Sequence, residues 1–320
     1  MPKSPPADAF SLQPGVQAAW RDYLDALEPL RHELFRYCLG LTGDVWDAED
    51  LVQDALLRVF GHLGKINAPL REPRAYLVRT ATRLWIDRLR RADLERTYAA
   101  RCPADEPAAD DDSAQALRVR QAAAHVFAHL PPRERAAVLL KDVLGFSLEE
   151  AAAMLPSTVG AVKAALYRGR ARLKAGAEAP APRAAGPPRA LVEAFVAALS
   201  AGDVEAVRAL CLAGVGLDMV GGAALEGWGQ ARVAVHHAYA AAPFLGADPR
   251  WEVVDYLGEP IAVGYRTQNG VEGVNEIWRL EADEEGVSRL RLYCFTPEVI
   301  AEVAGALGVP ALQKPHRSPP

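Results

Sequence analysis

REPRAYLVRTATRLWIDRLRR, residues 71–91, decides how the rest of the chain is read. Its spacing predicts one helix. Pro73 stands near the start, where a missing N–H costs little. Tyr76, Leu77, Thr80, Leu84 and Leu89 recur near helical spacing and predict a buried stripe. Arg71, Arg74, Arg79, Arg83, Arg88, Arg90 and Arg91 fill the remaining positions, opposed only by Glu72 and Asp87. Tyr76 and Trp85 stand among these arginines. Guanidinium groups suit phosphates and guanine edges, and aromatic rings stack on unpaired bases. A solvated basic helix has the same composition, so the neighbouring segments must decide.

Two helices are predicted before it. Trp20 to Leu41 places Trp20, Leu24, Leu27, Leu30, Leu34, Tyr37 and Leu41 near one face, with Pro29 as a kink or break. Asp44 is placed to cap the next helix, Asp47 to Phe60, whose apolar face is Leu51, Ala55, Leu56, Val59 and Phe60. Asp47, Asp50 and Asp54 form a ridge on that helix. The helix dipole favours acids in a first turn, but Asp54 lies too far along for that. A dock for a basic partner is the other reading. Gly61 to Leu70 is a Gly- and Pro-containing loop.

After it, residues 93–115 form a Pro/Ala/Asp linker. Residues 116–174 are a second helical domain, starting with a helix over Leu117 to Leu130. PPRERAAVLLKDVLG, residues 131–145, predicts a further helix with Pro at its start and Gly after its end. SLEEAAAML opens on Ser147 with Glu150 three residues on, a capping box. A short turn leads into Gly160–Lys174, which carries Lys163, Arg168, Arg170, Arg172 and Lys174 and no acid. A capped short helix, a tight turn and a basic second helix make a helix-turn-helix, a rhythm that some helical hairpins without DNA partners share. Residues 175–188 are a Pro/Ala tether.

Residues 189–309 change character. Helices are predicted over Ala190–Leu199, Val204–Leu212, about Gly229–Ala241, and Pro297–Leu307. Strands are predicted near Val215–Val220, Trp251–Leu257, Ile261–Tyr265, Val274–Leu280 and Val287–Phe295. Their alternation predicts half-buried antiparallel strands and an α+β domain. From Arg189 to Gly305 there are 8 arginines and no lysines against 17 carboxylates, so the net charge of −5 hides a basic front and an acidic back. The tails at residues 1–14 and 310–320 are expected to be disordered. No run of about 18 apolar residues predicts a membrane span, and no secretory pattern opens the chain. Cys38, Cys102, Cys211 and Cys294 form no CxxC pair. This argues against structural zinc and for a reducing, cytoplasmic setting.

With both helical blocks placed, the front of the chain resembles the extracytoplasmic-function group of bacterial sigma-70-family RNA polymerase sigma factors, over residues 20–174. DAEDLVQDALLRVF resembles that family's clamp-binding helix, and PRAYLVRTATRLWIDRLRR its promoter-opening helix. LPPRERAAVLLKDVLGFSLEEAAAML with VGAVKAALYRGRARL resembles its second DNA-binding domain. The resemblance implies two all-α domains, regions 2 and 4, and the partners core RNA polymerase and promoter DNA. Asp47, Asp50, Gln53 and Asp54 would dock on the polymerase. The 61–70 loop and the helix with Arg71, Arg74, Tyr76, Arg79, Arg83 and Trp85 would capture minus-ten bases, and Arg88, Arg90 and Arg91 would hold phosphates. Ser157, Thr158, Lys163, Arg168, Arg170 and Arg172 would engage the minus-thirty-five element. The family usually has Asn where Arg83 stands. Ala161, Ala164 and Ala165 occupy positions often held by Thr, Ser and Arg, so fewer side chains can bond base edges there. Readout would then rest on phosphates and apolar contacts.

The back domain resembles the SnoaL-like cone fused to some of these sigma factors, through ALVEAFVAALSAGDVEAVRALC and LRLYCFTPEVIAEVAGALGVP. A cone could form a pocket from Asp218, His236, Tyr239, Trp278 and Tyr293. An isomerase would need a base and an oxyanion donor to converge there. His236 and His237 are about 100° apart on a helix and are poorly placed to share a metal. No cofactor, metal or membrane partner and no catalysis are expected, and any small ligand is unidentified. Regulation in cis is the expected role of this domain. The alternative is a helix-turn-helix regulator carrying a ligand-binding or vestigial isomerase-like domain.

Overall fold

The structure is a computed structural model that describes residues 14–63, 72–99, 127, 129–175, 186–232, 235, 250–283 and 285–312. These fall into two compact units, one within residues 14–175 and one within 186–312.

In the first unit, α1 (Pro14–Thr42), α2 (Val45–Leu63) and α3 (Pro73–Ala99) pack on one another. Pro29 lies inside α1 without ending it. Leu27, Leu34, Tyr37 and Leu41 are buried as their spacing predicts. Asp44 caps α2: its Oδ1 accepts from the backbone N–H of Trp46 at 2.8 Å and of Asp47 at 2.9 Å. The helices are also tied by side-chain polar bonds. Tyr23 Oη donates to the Leu56 carbonyl at 2.8 Å, and Tyr37 Oη and Thr82 Oγ1 share a bond of 2.6 Å. Arg31 of α1 pairs with Glu49 of α2, where both side chains are buried. Burying two charges is unfavourable unless both find partners. Gln53 Nε2 supplies a second donor to Glu49, at 2.6 Å.

The buried stripe of α3 differs from the predicted one. Leu77, Val78, Ala81, Thr82 and Trp85 are buried, whereas Tyr76, Thr80, Leu84 and Leu89 are only partly covered. The reason is that α3 packs against α1 and α2 through the line of residues leading to Trp85, whose large indole removes more apolar surface from water than the leucines flanking it.

The predicted 131–145 helix is divided. It contains α4 (Pro132–Val138) and then a π turn over Leu139–Val143. In that turn the Leu144 N–H reaches the Leu139 carbonyl at 2.9 Å, so one extra residue is accommodated. Next come α5 (Leu148–Met154) and α6 (Val159–Ala175). The capping box forms as expected: Glu150 N–H donates to Ser147 Oγ at 3.1 Å, and Ser147 N–H donates to Glu150 Oε2 at 2.7 Å. Gly169 sets the spacing between α6 and α4. A Cβ there would lie 2.9 Å from Val138 Cγ2 and 3.3 Å from the Glu134 carbonyl oxygen.

The second unit runs α7 (Arg189–Ala201), α8 (Val204–Ala209), β1 (Cys211–Met219), β2 (Ala223–Glu226), β3 (Arg250–Tyr256), β4 (Glu259–Gln268), β5 (Val271–Asp283), β6 (Gly286–Tyr293) and α9 (Pro297–Leu307). The sheet order is β2-β1-β6-β5-β4-β3. The strands expected to be antiparallel are so except for β1 and β6, which run parallel. These two strands are separated in sequence by the rest of the sheet, so a long connection is available, as parallel pairing needs. Asn269-Gly270 joins β4 to β5, with positive φ of 53° and 79° at the two residues. That is the demand of a two-residue hairpin. The short β2 has no counterpart in the predicted strands. Of the predicted 229–241 helix, residues 228–232 and 235 are helical and the rest lies outside the described residues. Val215, Leu217, Trp278, Leu280, Leu290 and Leu292 form the core with Phe195 of α7. The unit is an α+β fold with a mixed sheet.

Two stability outcomes follow. Arg31→Ala strands a buried carboxylate and is expected to cost about 3–5 kcal/mol in denaturant unfolding of the full chain. Hydrogen bonds from Ser147, the backbone bond first, hold the Glu150 carboxyl below its ordinary range. Its contribution is therefore present above the unfolded value and lost as pH falls through the lowered one. Ser147→Ala should cost about 1 kcal/mol but keep most of that acid limb in thermal melts, since its backbone N–H remains, whereas Glu150→Gln should remove it.

Candidate nucleic-acid interface

At about 100° per residue, Tyr76, Arg79, Arg83, Asp87 and Arg90 of α3 form one ridge, with Glu72 just before the helix. Arg74, Ala81, Trp85 and Arg88 lie on the other side of the helix. Arg83, Arg90 and Arg91 are exposed, and Arg90 is 3.5 Å from Asp87. Arg79 covers the Tyr76 ring at 5.0 Å, and His62 stacks on that ring at 5.6 Å. Tyr76 and Arg79 also border a cavity of about 410 Å³ with Glu72, Ala75, Glu150, Ala153 and Met154. Arg71 and most of the 61–70 loop lie outside the described residues.

Two residues expected to touch DNA are used for packing instead. Trp85 is 4% exposed, and the Arg135 guanidinium sits 5.4 Å from its ring centroid. Arg74 pairs with Glu33 of α1, donates to the Leu144 carbonyl at 2.9 Å and lies over Phe146 at 4.6 Å. The hydrogen bond to Glu33 raises its pKa further. Arg74 and Trp85 share the packing side of α3, where a guanidinium must find acceptors and an indole must be covered. Arg135 makes the reciprocal contact, donating to the Leu41 carbonyl at the end of α1. Burial lowers its pKa to about 10, still well above neutrality. No feature of the 131–145 segment marked Arg135 as a partner of α1. Its position becomes legible only when the helices are packed.

The acidic ridge of α2 stands as predicted in part. Asp47 and Asp54 are exposed and Asp50 is half-buried. Asp54 accepts from Arg88 at 2.6 Å, and Gln53 supports buried Glu49. Arg88, expected on phosphates, is therefore engaged by a carboxylate that was expected on the polymerase.

In the helix-turn-helix, Thr158 Oγ1 accepts from the Ala161 N–H at 3.2 Å and so holds the first turn of α6. Ser157 is half-buried and Lys163 exposed. Arg168 donates to Glu134 at 2.8 Å, and Arg172 lies 3.3 Å from the same carboxylate. Arg170 is bidentate to Asp142 at 2.9 and 2.5 Å, which raises its pKa. All three arginines are more than half exposed. Such pairs are weak in water and can exchange their carboxylates for phosphates.

Residues 27–95 match the family model for Sigma-70 region 2, and residues 120–173 that for Sigma-70 region 4. The chain is 34% identical over 145 residues to the RNA polymerase sigma-E factor of Streptomyces avermitilis, covering 76% of that relative and 44% of this chain. It belongs to the extracytoplasmic-function group of the sigma-70 family. It is also 34% identical over 218 residues to the ECF RNA polymerase sigma factor SigG of Mycobacterium tuberculosis, a match spanning 57% of SigG and 58% of this chain. The crystal structure of the extracytoplasmic-function sigma factor SigJ from Mycobacterium tuberculosis aligns at 21% identity and a TM-score of 0.34, over 87% of this chain and 98% of that one. The α2 ridge and α3 thus lie in region 2, and the helix-turn-helix lies in region 4.

Beyond region 4, the described pocket candidates do not converge. Trp278 faces the core with Leu292, its cross-strand partner. Asp218 and Tyr293 alternate with core residues Leu217 and Leu292, so they face the opposite side of the sheet. There Asp218 accepts from Arg289 at 2.7 Å. His236 and Tyr239 lie outside the described residues. Among the described residues no His, Cys, Asp and Glu cluster suits a metal ion, and no helix is long and apolar enough to cross a membrane.

Arg74→Ala removes an acceptor-matched cation between regions 2 and 4. The expected result is faster amide exchange over residues 139–146, with protection of α1 and α2 unchanged.

Proposed function

We propose that this chain is an RNA polymerase sigma factor: it binds core polymerase, recognises minus-thirty-five and minus-ten promoter elements and starts transcription. The observation that carries this is one compact unit presenting three chemically distinct faces: the Asp47–Asp54 ridge, the Arg79–Arg83–Arg90 ridge and the basic α6. A carboxylate ridge suits a basic polymerase surface. Region 2 would grip the unpaired strand through the α3 ridge and the adjoining loop, where exposed base edges and backbone phosphates are both in reach. Region 4 would lay α6 in the major groove. The organisation proposed is region 2 at 15–92, region 4 at 116–174 and a SnoaL-like domain at 189–309, joined by linkers at 93–115 and 175–188. The setting is the cytoplasm, where the polymerase works.

The acidic C-terminal domain would act in cis, since a Pro/Ala tether holds it at high local concentration near basic surfaces. No step of this reading requires catalysis, metal or cofactor.

Run-off transcription with purified core polymerase tests the assignment, and the absence of any defined start site would refute it. Arg168→Ala should weaken promoter binding and lower the slope of log affinity against log salt by about one phosphate contact. An unchanged slope removes Arg168 from the interface. A chain ending near Ala179 should give altered output from the same promoter. Identical output removes the C-terminal domain from regulation.

A further inference from the structure

Tyr167 is 78% exposed on α6, the most exposed of the large hydrophobic side chains in the described residues. Its setting is specific. At about 100° per residue, Gly160, Ala164, Tyr167 and Ala171 fall along the centre of the exposed face, and all are exposed. Lys163, Arg170 and Lys174 line one edge of this strip, and Ala161, Arg168 and Arg172 the other. The guanidinium forks on both edges are turned onto carboxylates of the preceding segment: Arg168 and Arg172 onto Glu134, Arg170 onto Asp142. The centre therefore offers methyl groups, backbone and one phenol ring, with the Tyr167 hydroxyl its only hydrogen-bonding side-chain group.

The cationic rims and the absence of any carboxylate on α6 point to a polyanion. Among the groups a major groove presents, the thymine 5-methyl is the one that an apolar strip can recognise. We infer that region 4 of this chain selects its duplex site by thymine methyl contacts to Ala164 and Tyr167, with Tyr167 as the specificity-determining residue and the flanking cations holding phosphates. This rests on the sigma-factor reading only in placing α6 against duplex DNA.

The experiment uses the full chain. A duplex is enriched from a random pool, and each thymine is then replaced by deoxyuridine, which removes the methyl and nothing else. The expected loss is about fourfold in affinity per contacted methyl, the value for one buried CH₂. Replacing guanine by 7-deazaguanine should have little effect. Tyr167→Ala should lose the discrimination at the thymine that Tyr167 contacts and keep it at any thymine contacted by Ala164, with an unchanged salt slope, and Tyr167→Phe should keep it at both. Circular dichroism of both variants should match the parent, because the side chain covers no core.

Equal binding of thymine and deoxyuridine duplexes by the parent chain would overturn the inference. So would undiminished discrimination by Tyr167→Ala, or a pool from which nothing is enriched. If Tyr167→Ala instead loses core polymerase while DNA binding is unchanged, the strip is a protein-docking face and the inference fails. Methyl-dependent binding without transcription on core polymerase would refute the sigma-factor reading alone. Transcription that ignores the methyls would refute only this inference.

Discussion

Glu49 has no exposed surface, and the first helical block is arranged around that fact. A buried carboxylate is tolerable only with cationic or amide donors close by. Arg31 provides the cation from α1, and Gln53 provides an amide one turn along α2. The pair fixes the register between α1 and α2, since a slip of either helix would separate the two charges. With α1 and α2 locked, their groove accepts the Leu77–Trp85 side of α3. The arginines opposite that side are then turned outward. The exposed ridge of α3 is thus a consequence of what is buried beneath it.

The same economy of charge governs how regions 2 and 4 meet. Arg74 leaves α3 to reach the carbonyl at the end of the π turn, and Arg135 leaves α4 to reach the carbonyl at the end of α1. Both acceptors lie at the ends of helical segments, where backbone carbonyls lack an intrahelical donor. Each guanidinium also covers an aromatic ring, Phe146 or Trp85. Cation–π contact and carbonyl acceptance together let a charge be partly desolvated. In this state Trp85 is buried and Arg74 is engaged by Glu33 and the Leu144 carbonyl. On α6, ion pairs to Glu134 and Asp142 likewise occupy the arginines that would hold phosphates.

Much of the fold was legible beforehand because its signals are local. The capping box at Ser147, the Asp44 cap, the α9 helix over Pro297–Leu307 and the basic α6 depend on residues a few positions apart. The α+β character of the second unit was equally clear, since strand alternation is a period-two pattern. The parallel pairing of β1 with β6 was not, because nothing in either strand names a partner far along the chain. Among the described residues the pocket candidates are separated for a related reason. Asp218 and Trp278 have suitable chemistry, but facing depends on register, and register placed them on opposite sides of the sheet.

Residue pattern alone established two helical blocks with an acidic ridge, a basic helix and a helix-turn-helix, followed by an acidic α+β unit. These follow from periodicity, capping and charge, which act over one or two helical turns. Only the tertiary structure decided which arginines are available. Arg79, Arg83 and Arg90 share a ridge, while Arg74 and Arg88 are held by Glu33 and Asp54. A guanidinium is the same group in either place. Whether it meets a carboxylate, a carbonyl or solvent is set by helices that approach from distant parts of the chain, and sequence spacing carries no record of that approach.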